Sequence, residues 1–211
     1  PLKKEYSSGT GYAAGGVGWY RTHFAIPADW QGKEIQITFD GIYKNSQVWC
    51  NSYYLGRRPY GYSTFTYNIT HAVDFGGDNV IAVRVEHTDI ADSRWYTGSG
   101  ITRKVVISCK EPVHPREYGV IFETKQVTEI DEESGTGRAE LLIRHFPVEG
   151  ESFMGQFPVE ERKGMPLHIR TTLVNREGRE VLTLEGSGKT GEESRLRGTL
   201  ENAVLWSVET P

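Results

Sequence analysis

The stretch Ser93-Arg94-Trp95-Tyr96-Thr97-Gly98-Ser99-Gly100-Ile101 places an arginine, two large aromatic rings and two glycines directly before an alternating apolar run. A guanidinium beside aromatic rings can combine charge-assisted hydrogen bonds with a stacking face. The same residues also suit a glycine-rich turn in an all-β protein, so the stretch alone leaves both readings open. Trp19, Tyr43, Trp49, Tyr53, Tyr54, Tyr60 and Tyr62 extend the aromatic signal around the predicted loops and strand ends. Flat apolar faces edged by polar groups suit sugar rings, whose C–H faces are apolar and whose hydroxyls need donors and acceptors. In a β-sandwich most aromatic side chains are expected to be core, and each of these rings carries that packing reading as well.

Other chemistry finds little support. Gly9-Thr10-Gly11-Tyr12-Ala13-Ala14 satisfies a loose nucleotide fingerprint, but no strand precedes it, and Gly15-Gly16 follows where a phosphate-cradling helix would have to begin. The pairs Glu132-Glu133, Glu160-Glu161 and Glu192-Glu193 are sequence neighbours in polar segments, so their side chains diverge and read as solvated surface. His23, His71, His87, His114, His145 and His168 are scattered, without metal-ligand spacing and without a Gly-x-Ser-x-Gly elbow. Cys50 and Cys109 lack Cys-x-x-Cys or Cys/His spacing and read as free thiols acting as small hydrophobes. No metal and no cofactor are expected. The sequon Asn68-Ile69-Thr70 reads as chance.

The elements that must position the aromatic residues are strands. The 211-residue chain has 5 Trp, 11 Tyr and 8 Phe, enough core-forming material for a folded protein, and its length favours two domains. A net charge of -4 with interspersed signs gives no nucleic-acid footprint. Apolar runs fall far short of the roughly 20 residues of a membrane-spanning helix, so no membrane partner is expected. Cysteine usage leaves periplasmic, secreted and cytoplasmic settings open.

Period-2 alternation dominates. Tyr20, Thr22, Phe24 and Ile26 share one face, followed by Ile35, Ile37 and Phe39, then Ile81, Val83 and Val85, and Val105, Ile107 and Cys109. Residues 109 to 119, with two prolines among charges, read as a linker, which sets domains of 1–111 and 112–211. In the second, Val120 and Phe122, then Ala139, Leu141 and Ile143, then Leu167, Ile169, Thr171 and Leu173 predict strands, and Asn175-Arg176-Glu177-Gly178 predicts a hairpin turn. Pro147 to Pro166 reads as a long loop. Short antiparallel strands without helices predict an immunoglobulin-like sandwich for this half.

A series of motifs then carries a family resemblance. In order, these are Gly18-Trp19-Tyr20-Arg21, Ile26-Pro27, Trp30 before Gly32-Lys33, Phe39-Asp40-Gly41, Val48-Trp49-Cys50-Asn51, Gly61-Tyr62 before Phe65, Asn79-Val80-Ile81-Ala82-Val83-Arg84-Val85, and the 93–101 stretch. Over residues 11 to 109 the chain resembles the N-terminal sugar-binding domain of glycoside hydrolase family 2, the family of β-galactosidases, β-glucuronidases and β-mannosidases. The second half resembles that family's immunoglobulin-like second domain more loosely, through Val174-Asn175 and Leu205-Trp206-Ser207. Departures include Ser52, which puts a tight Asn-Gly turn in doubt, and Thr102 in place of an aromatic residue.

The resemblance implies an all-β chain, a galactose-binding-domain-like jelly roll followed by an immunoglobulin-like sandwich. It also implies that catalysis belongs to a TIM barrel, with the two glutamates of a retaining mechanism, which this chain stops before. The chain is then a non-catalytic fragment of a β-galactosidase-like enzyme. In the family a loop of the first domain helps shape the substrate pocket, and the stretch before Gly100-Ile101 matches it. Asp92 and Arg94 are accordingly expected to offer an acceptor and a donor to sugar hydroxyls, and Trp95 or Tyr96 a stacking face. The structural alternative pairs Arg94 with Asp89 or Asp92 and packs Trp95 between domains. The implied partner is a β-galactoside-type carbohydrate; a strand missing after Trp206 would leave an edge open to homo-oligomerisation. A stand-alone carbohydrate-binding module and a purely structural scaffold are the competing readings.

Overall fold

The computed structural model describes residues 15–88, 98–150 and 164–208. The chain divides into two units, Pro1–Pro112 and Val113–Pro211. Among the described residues the only helical segment is a single 3-10 turn at Ala28–Trp30, and no helix is long and apolar enough to cross a membrane.

The first unit contains strands β1 (Gly16–Ala25), β2 (Glu34–Phe39), β3 (Ser46–Cys50), β4 (Tyr53–Arg58), β5 (Phe65–Asn68), β6 (Asp78–His87) and β7 (Val105–Lys110). They form a four-stranded sheet in the order β1-β6-β3-β4 and a three-stranded sheet in the order β5-β2-β7. The alternating positions meet between the sheets: Ile35, Ile37 and Phe39 share a buried cluster with Val48, Cys50, Ile81, Val83 and Val85. Burying each large aliphatic or aromatic side chain contributes about 1.5–3 kcal/mol. On β1 the inward set is also as the alternation implies, since Tyr20 lies opposite Val83 and Thr22 opposite Ile81. Tyr20 nonetheless stays 42% exposed, because β1 forms the edge of its sheet. Burial pushes the Cys50 thiol up to about 11, so it remains an uncharged core group.

The turn left in doubt by Ser52 does form. Cys50 pairs with Tyr53 across a two-residue connection, with Asn51 at a φ of 51°. Asparagine tolerates this left-handed region, so the following glycine is dispensable.

The second unit contains β8 (Val113–Asp131), β9 (Thr136–Glu149), β10 (Pro166–Val174), β11 (Glu180–Lys189) and β12 (Ser194–Val204). A three-stranded sheet β12-β9-β8 accompanies the hairpin β10-β11. Ala139, Leu141, Ile143 and Leu196 are buried. Close approach of β11 to β12 requires small residues: a Cβ on Gly186 would lie 2.5 Å from Leu196 Cδ2, and one on Gly198 2.5 Å from Leu184 Cδ2. The hairpin turn falls where expected, with Asn175 Oδ1 accepting from the backbone N–H groups of Glu177 and Arg179.

Two expectations change. Of residues 109 to 119 only Glu111 and Pro112 lie outside strands, because β8 begins at Val113 and accommodates Pro115 on the edge of its sheet. Likewise Pro147, Val148 and Glu149, read as the start of a loop, extend β9 and pair with Pro115, His114 and Val113. Residues 151–163 of that expected loop lie outside the described residues.

His145 on β9 reaches across to β10, with its Nε2 2.9 Å from Thr171 Oγ1, and burial holds its imidazole below the ordinary 6.5. A depressed folded-state value means stability present above the unfolded value and lost on acidification, because the unfolded chain takes up a proton that the folded one resists. Chemical denaturation between about pH 7 and pH 5 is therefore expected to show a shallower loss of stability in His145→Gln than in the parent chain. Parallel slopes would contradict this.

Candidate functional site

Asp92, Arg94, Trp95 and Tyr96 lie outside the described residues. What the structure describes is the framework at both ends of their segment. On the entry side β6 ends at His87, which continues the inward set of Ile81, Val83 and Val85 and is 1% exposed. On the exit side Gly98 to Ile101 lead toward β7.

Four contacts fix these ends. His87 Nδ1 lies 2.6 Å from Ser99 Oγ, joining entry to exit. Tyr43 and Gly100 exchange backbone hydrogen bonds, Tyr43 N–H to the Gly100 carbonyl at 3.0 Å and Gly100 N–H to the Tyr43 carbonyl at 2.5 Å. The Tyr43 ring meets His87 edge-on with centroids 5.1 Å apart. Beyond Ile101, Arg103 Nη1 donates to the carbonyls of Asp40 at 3.3 Å and Tyr62 at 3.4 Å.

The Gly-Tyr motif serves the same framework. A Cβ on Gly61 would come within 2.3 Å of Tyr43 Cδ2, so glycine permits the chain to pass against that ring. Tyr62 packs 5.3 Å from Tyr43, and Tyr60 packs 5.8 Å from Tyr62. Three of the aromatic residues singled out in the sequence thus stand beside the loop ends.

The remaining aromatic residues divide differently. Trp19, Trp49 and Tyr54 form a row on the outer face of the four-stranded sheet, and Tyr53 meets His71 edge-on at 5.6 Å. The expectation that most of these rings would be core does not hold. Trp19, Tyr53, Tyr54, Tyr60 and Tyr62 are all exposed, whereas Phe39, Phe65 and Tyr67 supply the buried rings. His87, Ser99 and Arg103 were missed as contributors. Only His87 carried a usable signal, its place in the inward register of β6. Among the described residues no group of His, Cys, Asp and Glu could hold a metal ion.

Residues 9–112 match the family model described as glycosyl hydrolases family 2, sugar binding domain. The chain carries a glycoside hydrolase family 2 sugar-binding domain. Along its whole length it is 35% identical to a β-galactosidase of Bacteroides ovatus, of which it covers 23%. Over 58% of its length it is 38% identical to a β-glucuronidase, named as putative, of Formosa agariphila, of which it covers 12%. A solved structure of a glycosyl hydrolase family 2 member from Bacteroides cellulosilyticus superposes with a TM-score of 0.80 at 32% identity, covering 96% of this chain and 26% of that one. The chain therefore spans about a quarter or less of the relatives and the solved structure that it matches. Its all-β sandwich architecture is that of the family 2 structures, and the motif series from Gly18 to Ile101 lies within the matched segment.

Proposed function

We propose that this chain is the N-terminal, non-catalytic portion of a retaining family 2 glycosidase of the β-galactosidase type, which supports and shapes an active site carried by a TIM barrel. The match of residues 9–112 to the family's sugar-binding domain carries this reading. The contacts His87–Ser99 and Tyr43–Gly100 support a local role for residues 89–97, because they fix the points at which the chain leaves β6 and returns toward β7. In this reading Asp92 accepts and Arg94 donates hydrogen bonds to hydroxyls of a β-galactoside, and Trp95 or Tyr96 stacks on its ring. The domains are a jelly roll over 1–111 and an immunoglobulin-like sandwich over 112–211, with β-strand edges that favour homo-oligomers.

The chain by itself is expected neither to hydrolyse a chromogenic β-galactoside nor to give saturable heat with galactose, glucuronate or mannose as single sugars. Turnover by the purified chain, with contaminating hydrolase excluded, would show that chemistry resides here. Saturable binding of a monosaccharide would favour a stand-alone carbohydrate-binding module.

A further inference from the structure

The outer face of the sheet β1-β6-β3-β4 carries an aromatic row separate from the framework of the 89–97 segment. Alternation along β6 turns Ile81, Val83 and Val85 inward and leaves Asp78, Val80, Ala82, Arg84 and Glu86 on the other side. Register then places Trp19 and Arg21 of β1 opposite Arg84 and Ala82, and Gln47 and Trp49 of β3 opposite the same two residues from the other edge of β6. Tyr54 lies opposite Trp49, and Arg57 opposite Gln47.

The small side chain of Ala82 lets the rings lean together over β6. Trp19 and Trp49 have centroids 5.4 Å apart at an interplanar angle of 30°, and Trp49 and Tyr54 are 5.3 Å apart at 47°. Trp19 is 62% exposed and Tyr54 53% exposed. Beside this row, Arg84 Nη1 donates to Gln47 Oε1 at 3.1 Å and pairs with Glu86 Oε2 at 2.7 Å, which fixes a polar flank.

The charge of the face runs against that of the chain. Three guanidiniums, Arg21, Arg57 and Arg84, accompany two carboxylates, Asp78 and Glu86, in a chain with a net charge of -4. An apolar ring row bordered by excess positive charge complements a ligand of flat rings that carry negative charge. A protein partner would need roughly 800 Å² per side with an apolar centre, and here guanidiniums and carboxylates interrupt the centre within one strand of the rings.

We propose that this face binds an extended oligosaccharide bearing carboxylates, a glycan of the uronic acid class, with successive rings on Trp19, Trp49 and Tyr54 and a carboxylate drawn to Arg21. The rings stand on β1, β3 and β4, across all four strands of the sheet, so the ligand is a chain of sugars rather than a single ring. The inference goes beyond the proposed role of the 89–97 segment and does not depend on hydrolysis.

The test titrates the whole chain with a uronic acid tetrasaccharide and with its carboxyl-reduced, neutral counterpart, followed by calorimetry and tryptophan fluorescence. The acidic sugar is expected to bind saturably and to weaken as salt is raised. Trp19→Ala and, independently, Tyr54→Ala are each expected to weaken it about tenfold. Arg21→Gln should weaken the acidic sugar while leaving the neutral one unchanged. Trp19, Arg21 and Tyr54 are exposed, so each variant is expected to fold, which its circular dichroism spectrum checks. Absence of saturable binding, equal affinity for the two sugars, or binding unaffected by both aromatic substitutions would overturn the proposal. None of these outcomes bears on whether the chain belongs to a hydrolase.

Discussion

Asn79→Ala is expected to lower the unfolding free energy of the first unit by about 3 kcal/mol, read as a shifted denaturant midpoint. Asn79 is fully buried at the start of β6 and is satisfied from every side. Its Oδ1 accepts from the Asp74 N–H at 2.7 Å and from Asn51 Nδ2 at 3.0 Å, while its Nδ2 donates to the carbonyls of Asp74 at 3.0 Å and Gly77 at 3.3 Å. Asn51 in turn accepts from the Val80 N–H at 2.9 Å and donates to the Ala72 carbonyl at 2.6 Å. Alanine would strand several polar groups in a low-dielectric interior, and each orphan costs about 1–3 kcal/mol, partly relieved by relaxation or water entry. Thr22→Ala, on exposed β1, is expected to change stability by less than about 0.5 kcal/mol. An Asn79→Ala loss as small as that of Thr22→Ala would contradict the assignment of this network as the anchor between the β3–β4 turn and β6.

Gly100→Ala is expected to cost about 2–3 kcal/mol, through backbone strain and collision together. Gly100 has a φ of 98°, in the region that side-chain-bearing residues avoid, and a Cβ there would lie 2.0 Å from the Tyr20 hydroxyl. That hydroxyl accepts a long hydrogen bond from the Ile101 N–H at 3.4 Å. Removing it in Tyr20→Phe therefore relieves the closest part of the collision, leaving Cζ at 3.0 Å, but not the strain. The double variant should recover part of the Gly100→Ala loss, measured as a coupling energy in a double-mutant cycle. Hydrogen exchange at the Gly100 amide, which donates to Tyr43, should accelerate in the single variant. Strict additivity would show that Tyr20 does not hold the exit of the 89–97 segment.

These two positions show what the sequence makes legible. Period-2 alternation in Ile35-Ile37-Phe39 and Ile81-Val83-Val85 identifies core faces, because one residue of slip would expose every apolar side chain. The motif Asn79-x-Ile81 and the motif ending in Asn51 are also visible in the sequence, but their meeting across β3 and β6 is a long-range event that no local pattern encodes. The linker and loop readings were drawn too wide for a related reason. Prolines and charges in 109–119 and 147–149 resemble loop composition, yet the edge strand β8 tolerates both, and Pro147 to Glu149 extend β9 past His145, where its pairing with β12 ends and only β8 lies alongside. For the exposed aromatic rings, composition supplied the residue types but not their sides. Trp19 and Trp49 occupy the alternate register to the core, and only strand pairing reveals that Ala82 brings them together.

The candidate site is legible to a lesser degree. The 93–101 stretch stands out by composition, and its glycines have a structural account at Gly100. Of the supports, His87 precedes the segment and Ser99 and Arg103 follow it, whereas Tyr43 comes from a distant part of the chain, and only folding brings it to both ends.

The proposed support of a catalytic domain carried in the same polypeptide can be read in the gene beyond the codon for Pro211. The expected result is an open frame that continues for several hundred residues into an alternating β/α pattern with two catalytic glutamates. A stop codon close behind Pro211, in the intact gene, would contradict it and leave a stand-alone binding or structural protein.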